Sequence, residues 1–80
     1  MNFPLYIYYE LLIRLSAIDS ELGEYLSTSQ NDEVCILKTT NGRLVVPTEI
    51  LKRQFEAPDL ISTAELTELA KAFEANYQQD

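Results

Sequence analysis

The sequence predicts an α+β fold: a single small domain in the order α-β-β-α-α, with a two-stranded antiparallel hairpin packed against helices. Three observations predict it. An apolar opening segment carries its polar residues at helical spacing, an Asn-Gly pair lies between two β-rich runs, and a capping signal precedes the final helical segment. A chain of 80 residues forms one domain, and its small core leaves a thin stability margin that oligomerisation or a partner can supplement.

The first helix is predicted from about residue 4 to about residue 26. Pro4 suits a first helical position, and Glu10 and Arg14 are four residues apart in the order that favours an ion pair on one helix face. The segment is not expected to cross a membrane, because Glu10 interrupts an apolar run that would have to reach about 20 residues. Gly23 leaves two interpretations open: it ends the helix as a C-cap, or it is tolerated inside the helix.

Residues 33–46 are predicted to form the hairpin after a loop at 27–32. Asn41 and Gly42 are expected to make a type I′ turn, which needs positive φ at both positions. Alternation along the strands then assigns side chains to two faces. The predicted core face consists of Cys35, Leu37, Thr39, Leu44 and Val46. The opposite face keeps three aliphatic side chains and is expected to be partly covered as well.

Two helices are predicted after the hairpin. The first covers about residues 49–56 and is expected to be capped by Thr48. Its inward side chains are expected to be Ile50, Leu51 and Phe55. The second covers about residues 63–78, and Ser62 with Glu65 matches a capping box at its start. Its inward side chains are expected to be Leu66, Leu69, Ala70, Phe73 and Tyr77.

The composition restricts the possible chemistry. The chain has 13 acidic and 6 basic residues, and its net charge of −7 opposes direct binding to nucleic acid or to an anionic membrane. Two interpretations of the acidity stay open: solubility alone, or attraction to a basic partner such as a nucleic-acid-binding protein. Because there is no histidine and only one cysteine, neither a metal site nor a cofactor is expected. The unpaired cysteine also predicts a reducing, cytoplasmic location.

No catalytic residues are predicted, and the chain is not expected to be an enzyme. It has no imidazole base, and its two glycines are too few for a phosphate-binding loop. Two carboxylate pairs, Asp32–Glu33 and Glu65–Glu68, are interpreted as solvated acids rather than as acid–base machinery. Cys35 is interpreted as a small buried hydrophobic residue.

The first helix carries more apolar surface than its core-facing side needs. Tyr6, Tyr9, Ile13 and Ala17 fall outside the core-facing arc of a helical wheel and form a second apolar stripe. Either the short helix or the chain termini cover this stripe, or it meets a partner, most simply a second copy of the chain.

The stripe is predicted to lie between Glu10–Arg14 on one side and Ser16–Ser20 on the other. Glu10, Glu21 and Glu24 share one side of the predicted helix and are expected to steer association with a basic partner. Neutralising all three is therefore expected to slow the on-rate more than it changes the off-rate. The same charges would permit mimicry of nucleic-acid phosphates, although their pattern does not require it.

Together these features predict a small acidic protein-binding module. Its expected action is to inhibit or regulate a protein partner by occupying a surface on it, in the manner of small anti-defence and immunity proteins of phages and mobile elements. The alternative is a homodimeric structural or accessory subunit of a larger assembly, in which the acidity serves only solubility.

Overall fold

The structure, a computed structural model, describes residues 3–75 and has an α+β fold. Its helices are α1 (Leu5–Ser16), α2 (Thr48–Glu56), a 3-10 turn (Pro58–Leu60) and α3 (Thr63–Lys71). Its strands are β1 (Tyr25–Gln30), β2 (Val34–Thr39), β3 (Gly42–Pro47) and β4 (Glu74–Ala75). They form one antiparallel sheet in the order β1-β2-β3-β4, so the predicted fold class is confirmed but the two-stranded sheet and the order α-β-β-α-α are wrong.

The first helix ends at Ser16, far short of the predicted residue 26. The chain turns after it, and the Asp19 carboxylate accepts the Glu21 backbone N–H at 3.0 Å, a local bond that competes with helix formation. Gly23 then takes a φ of +89°, which a helix does not allow. Leu22 lies in this turn and is fully buried. It fitted the helical pattern of apolar residues although it is not part of the helix.

Strand β1 occupies much of the segment that was predicted to be a loop. It pairs with β2 from Ser27 opposite Lys38 to Gln30 opposite Cys35, with a bulge between Tyr25 and Ser27. An edge strand that is mostly exposed needs no apolar alternation, so its polar composition resembled that of a loop.

The turn between β2 and β3 lies one residue earlier than predicted. Thr39 pairs with Gly42, which makes Thr40 and Asn41 the turn residues, and Gly42 is an extended strand residue without positive φ. Moving the turn by one residue changes the pairing register by two residues, so Leu37 faces Leu44 instead of Val46. Because side chains alternate with a period of two, every side chain stays on its predicted face. The predicted core face of the hairpin is accordingly buried at all five positions: Cys35, Leu37, Thr39, Leu44 and Val46.

The chain after α3 forms the fourth strand. The last helix ends at Lys71 rather than near residue 78, and β4 pairs with Gly42 and Arg43 of β3. Good helix formers fill this stretch, so the backbone hydrogen bonds offered by the open edge of β3 outweigh local preference. The predicted inward position Tyr77 lies outside the described residues.

The helices cover the face of the sheet that carries the buried hairpin residues. The capping box of α3 is confirmed: the Glu65 backbone N–H donates to Ser62 Oγ at 3.1 Å, and the Ser62 N–H donates to Glu65 Oε1 at 3.0 Å. Thr48 is not the cap of α2, because Pro47 occupies that position and the Thr48 hydroxyl donates to the Asn31 carbonyl at 3.3 Å.

One predicted inward side chain of α2 is not in the core. Phe55 is 48% exposed and packs edge-on against Phe3, with ring centroids 6.0 Å apart. Gln54 is buried in its place, beside Ile50 and Leu51. The helical wheel could not predict this exchange, because it assigns polar side chains such as Gln54 to solvent. Gln54 is buried because Arg14 and Glu10 provide it with hydrogen-bond partners.

Candidate functional site

Four apolar side chains lie on the outward face of α1. Tyr6, Tyr9 and Ile13 are 53%, 45% and 68% exposed, and Ala17, which caps the helix, is exposed too. We call Tyr6, Tyr9, Ile13 and Ala17 the α1 stripe. Its members are spaced by three and four residues and therefore share one face, which lies opposite the buried Ile7, Leu11 and Leu15. Within residues 3–75 no helix folds over it.

A groove runs along one side of the stripe, and we call it the α1–β1 groove. It has a volume of about 410 Å³. Its lining consists of Tyr9, Leu12, Ile13 and Ser16 of α1 together with Gly23, Glu24 and Tyr25. The sequence did not predict it, because residues 23–25 were assigned to the same helix as the stripe. The sequence did contain a signal for a chain reversal here, in Asp19, Ser20 and Gly23. A turn at these residues would have predicted that residues 23–25 return alongside the helix.

The aromatic side of the groove is fixed by ring contacts. The ring centroids of Tyr9 and Tyr25 lie 4.8 Å apart, and the Tyr8 ring stacks on Tyr25 with centroids 6.5 Å apart. The Tyr8 hydroxyl donates to Gln30 Oε1 at 2.6 Å, and burial raises the pKa of this phenol. Tyr25 thus contacts two rings, which makes the groove preformed rather than dependent on a partner for its shape.

The opposite wall is held by the β2–β3 turn. The Glu24 backbone N–H donates to Thr40 Oγ1 at 3.0 Å, and the Thr40 N–H donates to the Glu24 carbonyl at 2.9 Å. Gly23 is required where it stands, because a Cβ there would lie 3.0 Å from the Asn41 backbone nitrogen and closer still to Thr40 Oγ1. The Thr39 hydroxyl also donates to the Leu22 carbonyl.

The acidic residues that were predicted to share one side of the helix do not do so. Glu10 lies on α1, but Glu21 is in the turn after the helix and Glu24 precedes β1. Two of them still border the α1 stripe. Glu10 is on the side toward α2, where it accepts from Gln54 Nε2 at 3.4 Å, and Glu24 lines the groove on the other side.

Arg14, the basic residue nearest the stripe in sequence, is bonded to the connection between α2 and α3. Its Nη1 donates to Gln54 Oε1 at 2.8 Å and to the Pro58 carbonyl at 3.2 Å, and its Nη2 donates to the Ile61 carbonyl at 3.3 Å. Gln54 therefore joins Arg14 and Glu10, in place of the direct ion pair that their spacing predicted. Among the residues that line the groove in the described part of the chain, Glu24 is the one charged side chain.

Arg53 of α2 forms ion pairs within the fold. Arg53 bridges Glu49, at 2.7 Å, and Glu65, at 2.6 Å. The hydrogen bonds from Arg53, followed by the Ser62 backbone N–H, lower the pKa of Glu65 from 4.5 to about 2. One carboxylate of the Glu65–Glu68 pair is therefore ionised at neutral pH and bonded at the start of α3.

The remaining side chains with chemical potential are dispersed. Cys35 is fully buried, and burial raises the pKa of its thiol to about 11, which opposes a reactive thiolate. Asp32 and Glu33 are exposed beside the β1–β2 turn. Between residues 3 and 75 no three Cys, Asp or Glu side chains are grouped so as to hold a metal ion. In the same range, no helix has the length and apolarity needed to cross a bilayer.

Neither a family model, nor a curated protein, nor a solved structure matches the chain. The functional argument therefore depends on the geometry of the α1 stripe and the α1–β1 groove.

Proposed function

We propose that the chain is a small acidic protein-binding module that regulates or inhibits a protein partner by occupying a surface on it. The observation that carries this function is the α1 stripe beside a preformed groove. Tyrosine buries a large ring while its hydroxyl stays hydrated, which is why it is enriched at protein interfaces.

The size of the exposed surface supports this function. Leu5, Tyr6, Tyr9 and Ile13 lie along one side of α1 with exposed fractions of 45–68%. At roughly 200 Å² for a large side chain, they present about 400 Å² of mostly apolar surface. A patch of that size on a monomer of this size is often functional, whereas isolated apolar side chains need no explanation.

The rigidity of the site supports the same function. A surface that is already held in shape loses little conformational entropy when a partner binds. The contacts of Tyr25 with two rings and the backbone bonds of Glu24 to Thr40 provide this order before any partner arrives.

Affinity capture with matched variants tests the proposal. The full chain is used as bait in lysate of the cells that encode it, beside Tyr9→Lys/Ile13→Asp and a control, Leu60→Asp. Leu60 is 68% exposed, as is Ile13, but it lies on the 3-10 turn and outside the groove. We expect the parent and the control to retain a discrete partner that the double variant loses.

Two results would contradict the proposal. If the double variant keeps a cooperative melt and captures the same proteins as the parent, the interface is elsewhere. If it unfolds while the control does not, the stripe is part of the core. A capture that returns only further copies of the chain would instead identify the homodimeric subunit.

A further inference from the structure

We infer that the α1–β1 groove binds a basic amphipathic helix of a partner protein: a large apolar side chain of that helix enters the groove, and flanking Lys or Arg side chains pair with Glu24 and Glu10. This inference rests on the proposed protein-binding function and specifies the chemistry of the partner. It follows from the shape of the groove and the distribution of charge.

The shape of the site favours a helix over an added strand. The groove is walled by α1 on one side and by the start of β1 on the other, and β1 has a bulge between Tyr25 and Ser27. A bulge interrupts the regular ladder that an added strand would extend. A groove with an apolar floor formed by Leu12 instead accepts anchors spaced by three or four residues on an amphipathic helix.

The charges around the site favour a basic occupant. Glu10 and Glu24 are exposed on opposite sides of the stripe, and the net charge of the chain is −7. Arg14, which could have balanced Glu10, donates to acceptors in the α2–α3 region. Complementary charge at the rim of an interface speeds encounter and selects partners, so Lys and Arg are the expected flanks of the apolar anchor.

The charges disfavour a second copy of the chain as the occupant. Two stripes placed face to face would bring the Glu10 and Glu24 side chains of both copies together, and apposed like charges oppose association. A separate basic helix meets no such repulsion, because its Lys and Arg side chains are opposite in charge to Glu10 and Glu24.

Model peptides test the inference directly. Three peptides of about 20 residues, long enough to form a helix, share one leucine-rich face and differ only in flanking Lys, Gln or Glu. Each is titrated into the isotope-labelled full chain at low salt, and binding is followed through its backbone amide resonances. We expect the Lys peptide to shift resonances of Leu12, Ile13 and Tyr25, to bind at least fivefold more tightly than the Gln peptide, and the Glu peptide not to bind.

A charge-matched pair of variants locates the effect. Glu10→Gln/Glu24→Gln should weaken the Lys peptide about fivefold, in line with two exposed ion pairs. Glu33→Gln/Glu56→Gln removes the same charge at exposed positions outside the groove and should leave the affinity within twofold.

Several outcomes would overturn the inference. They are equal affinity for the Lys and Gln peptides, equal loss in both variant pairs, shifts confined to another surface, or no binding of any peptide. A dimer in sedimentation velocity that Ile13→Asp abolishes would show that the occupant is a second copy. If any of these occurs while the capture experiment still depends on Tyr9 and Ile13, the binding function stands and only the assigned partner chemistry is wrong. If capture is also independent of them, the function itself fails.

Discussion

Replacing Gly42 with alanine should detach the last strand from the sheet. A Cβ at this position would lie 2.8 Å from Phe73 Cζ, 3.0 Å from Ala75 Cα and closer still to the Glu74 carbonyl oxygen. The Phe73 ring can turn away, but the two backbone atoms cannot move unless β4 separates from β3. Gly42 is thus required for the close approach of two strands, and a tight turn has no part in it.

The expected loss of stability follows from the contacts that are lost when β4 separates from β3. Gly42→Ala would cost the pairing of Gly42 with Ala75 and of Arg43 with Glu74, together with the Arg43 Nε–Glu74 Oε1 contact at 3.0 Å. Overpacking of this kind typically costs about 1–3 kcal/mol. For a domain of this size that corresponds to a fall in melting temperature of roughly 4–24 °C.

Thermal and urea unfolding, followed by circular dichroism, measure the effect. Gly42→Asn separates the two roles that a glycine could have here, because asparagine tolerates positive φ in a turn but not a backbone atom against its Cβ. We expect the asparagine variant to lose at least as much stability as the alanine variant. A melting temperature of Gly42→Ala within about 1 °C of the parent would refute the close approach of the two strands. If Gly42→Asn kept the melting temperature of the parent while Gly42→Ala lowered it, Gly42 would be a turn residue with positive φ.

Three further outcomes are expected from unfolding measurements. Gly23→Ala forces a side chain into a φ of +89° and should cost about 1 kcal/mol or more; an unchanged urea midpoint would exclude that conformation. Arg14→Met leaves buried Gln54 without its guanidinium donor and should cost about 1–3 kcal/mol, and a neutral result would mean that the bond is not formed. Folding lowers the pKa of Glu65 from 4.5 to about 2. The ionised carboxylate therefore stabilises the folded state fully above pH 4.5, and this stabilisation is lost as the pH drops toward 2. The melting-temperature gap between the parent and Glu65→Gln should therefore narrow over that interval, and a constant gap would contradict the ion pair.

Some local signals in the sequence predicted local structure, although the turn at Asn41–Gly42 and the Thr48 cap were wrong. The Ser62–Glu65 capping box is formed because both partners lie within one helical turn, where no distant contact competes. The faces of the hairpin were also predictable, since alternation survives an error of one residue in the position of the turn. The exposed position of Ile13 followed from the same kind of periodicity.

Features that depend on distant contacts were not predictable. Nothing near Phe73 marks the end of α3, and β4 forms because the edge of β3 is available to it. Apolar residues beyond Ser16 continued the helical pattern, although Leu22 reaches the core from a turn. That error also concealed the groove, whose second wall is the segment that the pattern assigned to α1.

The central claim is that the chain binds a protein through the α1 stripe. Site-specific photocrosslinking tests this claim most directly. A photoreactive benzoylphenylalanine replaces Ile13 in one sample and Leu60 in another, and each is irradiated in the cells that encode the chain. Both positions are 68% exposed, so chance encounters label them equally. We expect a discrete heterologous adduct from position 13 and none from position 60. The same adducts from both positions, or none from position 13 when a folded chain is present, would contradict the claim.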